Sequence, residues 1–457
     1  MNNGEQSTDG PMTLTQARQV IVTEGLSGLL QRLENRAQGA GHNAVIACDF
    51  SNSGSTGPLA GIPIGVKDNI NVAGFATTGG SPALRDYRPS ADAPAVAALR
   101  EAGANVVCKL NMHELAFGIT SDNGTFGRVF NPFDSSRTAG GSSGGSGAAV
   151  ARGIVPAALG TDTGGSVRIP ASFCGVAGFR PSTGRYQSGG VLPLSHTRDT
   201  IGVLAANVED ICEFDAVLSG AQVPLPKLPD RPLRLGLPAD ALPGFCAPVE
   251  AAFRAALARL AAREVIELID LPTLGLGAME ADFGFPVALT EAAEIWRRLC
   301  PEHLGCTLEE FVPLLGDPAV RAAFGSMLHD DDDLVRRYEA FRDRGRSDLQ
   351  ARVAELYVRF DIDAMVMPTA VVQPPRWDEA ETMQVNGTER PTFFTVVHNT
   401  TLATLIGTPS LSLPAGFDRD GLPVGLMIEG PVGADLSVLA WGAVIEQELR
   451  EMQVEPA

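Results

Sequence analysis

The stretch 138–168 constrains this chain more than any other. It holds two glycine- and serine-rich turns, Gly140-Gly-Ser142-Ser-Gly-Gly-Ser146 and Gly160-Thr-Asp-Thr-Gly-Gly-Ser166. Between them lie Ala148-Ala-Val150, Ile154-Val155 and Pro156-Ala-Ala-Leu159. A flexible linker would leave such apolar residues in water, so they argue that both turns are held in a packed core. Each turn offers small side chains, a hydroxyl and exposed backbone N–H groups.

Two chemistries use such turns. The first is an anion nest for phosphate. Here no lysine follows the block, the GK[ST] ending of a P-loop is missing, and the dinucleotide spacing GxGxxG is poorly matched. The second is nucleophilic catalysis, in which a serine hydroxyl needs a base to take its proton. Ser166 is the candidate nucleophile, because Thr163-Gly164-Gly165-Ser166 can aim several N–H groups at one oxyanion. Asp162 can brace that loop by accepting hydrogen bonds. No serine–histidine arrangement is apparent. Gly140-Gly-Ser142-Ser-Gly144 matches the letters of a nucleophile elbow but lacks the apolar strand such an elbow needs. The base is therefore sought elsewhere. Lys67 sits among Ile62, Ile64 and Val66, where burial would lower its pKa, and Ser142 is the obvious relay. Ser143 reads as a structural hydrogen-bonder, Ser146 as a helix cap, and Arg168 as a structural partner of the loops. Cys174 reads as core packing.

Composition narrows the field. The 457 residues, 44% hydrophobic, suffice for one large core. A formal charge of −19, from 35 basic and 54 acidic residues, argues against nucleic acid as a partner. Seven scattered cysteines and six dispersed histidines show no metal-ligand spacing, so neither a metal nor a disulfide scaffold is expected. The polar start of the chain is not a signal peptide, and no run of 18 apolar residues appears. The expectation is a cytoplasmic protein without membrane contact.

The rest of the chain reads as α/β. A tail over 1–15 precedes helices over 16–39. Strands are expected near 45–50 and 62–67 with a loop over 51–57 between them, then a helix near 92–102 and a strand over 105–110. This β–α–β rhythm implies a large mixed, mostly parallel twisted sheet covered by helices on both faces. Residues 280–360, rich in Asp, Glu and Arg, read as a helical lobe within a single domain. Ser410–Pro414 and Val424–Glu429 read as a hairpin, and residues 435–449 as a closing helix.

Three blocks in order, Gly65-Val-Lys67-Asp-Asn, Gly140-Gly-Ser142-Ser-Gly-Gly and Thr161-Asp-Thr-Gly-Gly-Ser166, resemble the amidase signature family. The likeness is dense over 55–205 and returns from Thr408 to the Pro423-Val-Gly-Leu segment. It implies a triad of Lys67, Ser142 on a cis Gly141–Ser142 bond, and Ser166, with no cofactor. Asn111-Met-His-Glu, Gly178-Phe-Arg-Pro and Ser195-His-Thr-Arg-Asp look like the aryl-acetamide branch, which includes indoleacetamide and mandelamide hydrolases. The substrate implied is a small to medium amide with an apolar or aryl acyl group. Urethane, anilide and ester hydrolysis are competitors with the same machinery. An amidotransferase subunit acting on charged transfer RNA is a more distant one. Met112, Thr120, Phe283, Trp296 and Phe394 are candidate pocket walls, His113 reads as an orienting or structural histidine, and a homodimer is the default assembly.

Overall fold

The computed structural model describes residues 10–39, 41–51, 56–221, 223–329 and 331–454. Of the tail expected over 1–15, residues 1–9 lie outside these, as do residues 52–55 of the expected loop. A helix already begins at Leu14, because Thr13 and Gln16 cap it reciprocally. It runs to Ala37 with a break at Gly25 (φ 76°), which turns the buried Leu29, Leu30 and Leu33 onto the core.

Thirteen strands follow among the described residues. They are β1 (Val45–Cys48), β2 (Pro63–Lys67), β3 (Asn105–Leu110), β4 (Ala157–Asp162), β5 (Ala177–Arg180), β6 (Thr200–Ala205), β7 (Leu233–Pro238), β8 (Ile266–Leu271), β9 (Ala364–Pro368), β10 (Thr382–Val385), β11 (Thr388–Pro391), β12 (Ser410–Phe417) and β13 (Pro423–Glu429). Eleven form one sheet in the order β1-β3-β2-β4-β6-β5-β12-β13-β9-β7-β8, and β10 and β11 form a separate hairpin.

The mixed sheet expected from the sequence is present. Its parallel pairs lie in two flanks, β3-β2-β4 and β9-β7-β8. Antiparallel pairs join those flanks through β6, β5, β12 and β13. The first flank carries the expected β–α–β unit: β2, the helix Pro94–Glu101 and β3. Its strands are buried along their whole length, which is why they read as apolar runs without alternation.

Residues 276–360, which include the expected lobe over 280–360, are mostly helical among those described. The helices Phe285–Leu299, Pro318–Ser326, Asp332–Ala340 and Arg346–Phe360 dominate, with π-type turns at Glu280–Gly284, Cys300–Leu304 and Phe341–Gly345. An aromatic cluster of Trp296, Phe311 and Phe324 packs this region, with Trp296 stacked on Phe311 at 5.2 Å. Trp296 is fully buried and its indole N–H donates to Pro193 O at 3.1 Å. It is therefore a core residue and not a pocket wall.

Candidate active site

The three parallel strands β3, β2 and β4 all end on the same edge of the sheet, where open α/β sheets bind their ligands. Lys67 is the last residue of β2 and Asp162 the last of β4. Strand pairing therefore brings two turns that are far apart in sequence to one place. The turn 140–143 leads into the helix Gly144–Ala151, whose small residues are all buried. Gly145 shows why: a Cβ there would lie 2.3 Å from Asn111 O.

Lys67 is completely buried. Its Nζ donates to Ser142 Oγ at 2.8 Å and to Thr161 Oγ1 at 2.7 Å. Thr161 Oγ1 is also held by Asn69 Nδ2 at 3.1 Å. The Gly141–Ser142 peptide is cis. Burial pulls the Lys67 ammonium down to about 7, against the pull of Asp162 and Asp199. This amine has an available neutral form near pH 7, which no exposed lysine has.

Ser166 lies in the loop between β4 and the helix Arg168–Cys174, and its carbonyl accepts from Ser143 N at 3.2 Å. Asp162 braces this loop, as the sequence suggested. It accepts from Gly165 N at 2.9 Å and Val167 N at 3.2 Å. Arg168 and Arg180 pair with it at 3.0 and 3.2 Å, all three side chains fully buried. Burial pushes the Asp162 carboxyl up, yet the two guanidinium groups and the donated bonds hold it far below the usual range. Asp162→Asn removes the charge and leaves two buried cations uncompensated. The expected cost is about 3–5 kcal/mol of stability, to be read from urea unfolding of the variant beside the parent chain.

Two expectations change here. The Gly165 N–H is spent on Asp162, so it is not a free oxyanion donor, whereas Gly164 and Ser166 N–H find no acceptor among the described residues. Ser146 does not cap the helix. The helix starts two residues earlier, and the Ser146 hydroxyl donates to Leu159 O at 3.1 Å. Ser143 bonds to Thr161 O at 3.2 Å, and Arg168 also reaches Thr400 O at 2.9 Å. Both are structural in the way the sequence suggested. Thr163 donates to Asp199 at 2.6 Å. Cys174 is buried, its thiol pushed up by that burial and donated to Ala139 O at 3.4 Å.

Ser166, Thr163 and Gly164 open into a cavity of about 400 Å³. Its walls are mostly apolar: Phe117, Ile119, Leu194, Phe285, Leu289, Phe393, Phe394 and Val397, with Ala288, Ala319 and Ala323 leaving room. Thr120 and Phe394 line it as expected. Met112, Phe283 and Trp296 do not. The Met112 side chain packs on Gly80, where an added Cβ would sit 3.2 Å from its Cγ. Phe283 is 38% exposed and stacks on Phe341 at 5.3 Å. Polar wall groups that the sequence did not single out are Glu280, Glu381 and Arg198. Arg198 pairs with Glu280 at 2.8 Å, and both line the cavity. Among the described residues no group of three or more His, Cys, Asp or Glu is placed to hold a metal ion. No described helix is long and apolar enough to cross a membrane.

The amidase profile matches residues 38–439. The chain belongs to the amidase family. It is similar to an indoleacetamide hydrolase of Allorhizobium ampelinum, 35% identical over 92% of this chain and 94% of that one. It is also similar to a mandelamide hydrolase of Pseudomonas putida, 37% identical over 86% of this chain and 79% of that one. Among solved structures, a crystal structure of an amidase superposes with a TM-score of 0.83 at 34% identity, covering 97% of this chain and 100% of that one. This amidase is thus a hydrolase of amide bonds, built on the mixed sheet of its relatives.

Proposed function

We propose that this amidase hydrolyses small to medium amides with an apolar or aryl acyl group through a seryl acyl-enzyme. The observation that carries the reading is the Lys67–Ser142 hydrogen bond, buried beside a hydroxyl-bearing loop that opens into an apolar cavity.

In the first half, Ser166 Oγ attacks the amide carbonyl. Its proton passes to Ser142, whose own proton passes to neutral Lys67. The tetrahedral oxyanion takes the N–H groups of Gly164 and Ser166, with Thr163 N–H as a third candidate donor. The protonated Lys67 then returns its proton through Ser142 to the leaving nitrogen, the C–N bond breaks, and the amine departs. In the second half, water gives a proton to the same relay and attacks the ester, and the relay returns the proton to Ser166 Oγ. The acid leaves, and the site is restored. Every proton is carried by these three side chains.

The cavity supports the substrate class. About 400 Å³ holds one or two aromatic rings. Its aromatic and aliphatic walls favour an apolar acyl group, and Glu381 adds negative charge to the wall, which disfavours a free carboxylate on the substrate. The relatives named above are called hydrolases of aryl-bearing amides, which supports the same reading. A hydrolysis panel tests it. Aryl-acetamides are expected to be turned over with kcat/KM at least tenfold above short aliphatic amides, anilides, carbamates and esters. A carbamate, anilide or ester at the head of the panel overturns the acyl-amide assignment.

A further inference from the structure

His113 is a titratable group of the cavity that the relay does not use. Its imidazole lines the cavity beside Thr120, and its backbone N–H donates to Ser142 O at 3.1 Å. The ring is a built feature. It lies flat against Gly118, where an added Cβ would fall within 2.2–2.5 Å of three ring atoms.

The tautomer can be assigned from the partners. Thr120 Oγ1 lies 3.3 Å from His113 Nδ1 and itself accepts from Asp122 N at 3.3 Å. Among the described residues Nδ1 is the one acceptor in reach of the Thr120 hydroxyl hydrogen, so we assign that hydrogen to Nδ1 and the ring proton to Nε2. The Asp317 carboxylate favours the same placement, since its Oδ2 lies on the Nε2 side at 3.9 Å. That distance is too long for a hydrogen bond. Among the described residues Nε2–H has no acceptor within hydrogen-bond reach. Burial lowers the imidazole from its ordinary value, opposed by Asp317 and Asp122 and aided by Lys67, so the neutral ring is the form present near pH 7.

We propose that His113 Nε2–H is a specificity-determining donor for an oxygen on the acyl group of the substrate, so that hydroxyl-bearing aryl-acyl amides are preferred to their unsubstituted counterparts. A hydroxyl suits the place better than an ether. It accepts from Nε2–H, and it can also donate to the carboxylate of Asp317 beyond. The inference rests on the aryl-acyl amide reading above.

The test compares phenylacetamide, 4-hydroxyphenylacetamide and 2-hydroxy-2-phenylacetamide as substrates of the full chain. In the parent chain at least one hydroxylated amide is expected to exceed phenylacetamide by about three- to tenfold in kcat/KM, chiefly through KM, the range a neutral hydrogen bond supplies. His113→Phe keeps a planar ring, removes the donor and is expected to abolish the preference. His113→Gln restores an N–H and is expected to recover part of it. Gly118→Ala displaces the ring and is expected to act like His113→Phe. Equal rates for the three amides with the parent chain overturn the proposal, and that measurement needs no variant to fold. An equal fall for all three in His113→Phe, with the ratio unchanged, also overturns it and makes the residue a general support. Failure to hydrolyse any aryl amide takes down the substrate reading itself and this inference with it. Ordinary turnover of phenylacetamide without a hydroxyl preference takes down only the inference.

Discussion

Ser166→Ala is expected to lower kcat by a factor on the order of 10⁴ or more, with KM changed little. In the proposed mechanism Ser166 forms the bond that carries the reaction, while the cavity walls proposed to bind the acyl group are untouched by losing one hydroxyl. The variant is expected to fold like the parent, because the Ser166 contact that structures the loop is made by its backbone carbonyl, which accepts from Ser143 N at 3.2 Å. Single-turnover mixing and intact-mass measurement check both halves: the parent chain shows an acyl adduct with a slow ester or amide, and the variant shows none. Retained turnover within about tenfold of the parent, or an adduct on the variant, removes Ser166 from the reaction.

Lys67→Ala is expected to be nearly as damaging, and the pH profile is the sharper measurement. In the proposed mechanism Lys67 works as the neutral amine, and burial brings its folded value down to about 7. Below that value the amine is protonated and cannot take the Ser142 proton, so kcat/KM is expected to fall about tenfold for each pH unit. Above it the rate levels off. The sign is that of a base whose pKa is depressed by burial: activity is present above about 7 and lost as the pH falls. A profile flat from pH 5 to 8, or more than about one per cent of parental activity in Lys67→Ala at pH 8, counts against the assignment.

The parts of this site that could be read in the chain are those that lie next to each other in sequence. Asp162 bracing its own loop follows from a carboxylate three residues before a glycine whose N–H it can reach. Lys67 follows from its place at the end of a buried apolar run. Thr161 and Asn69, which hold the amine in place, were within the quoted blocks but carried no mark of that role. Only the pairing of β2 with β4 brings Thr161 Oγ1 to 2.7 Å from Lys67 Nζ. The same loop shows a limit of local reading. Four consecutive N–H groups look equivalent in sequence, yet the one at Gly165 is turned onto Asp162.

Pocket walls were the least legible part. Phe283 and Phe285 are two residues apart, and one stacks on Phe341 at the surface while the other lines the cavity. Two residues of a helix differ by roughly 200° in direction, and the π-type turn Glu280–Gly284 shifts the phase that a regular count would give. Trp296 has the size and chemistry of an aryl-binding wall, but its helix turns it onto Phe311 and Phe324.

From residue order alone came the glycine–serine turns, the buried lysine, the β–α–β rhythm and the chemistry that the family resemblance attaches to them, because these depend on neighbours along the chain. The walls of the cavity, the donors left for an oxyanion and the placing of the His113 ring depend on the segment after β3, the 194–198 loop, the helical region and the helix after β11. Their side-chain directions follow from helix phase and strand register, which only the packed molecule settles.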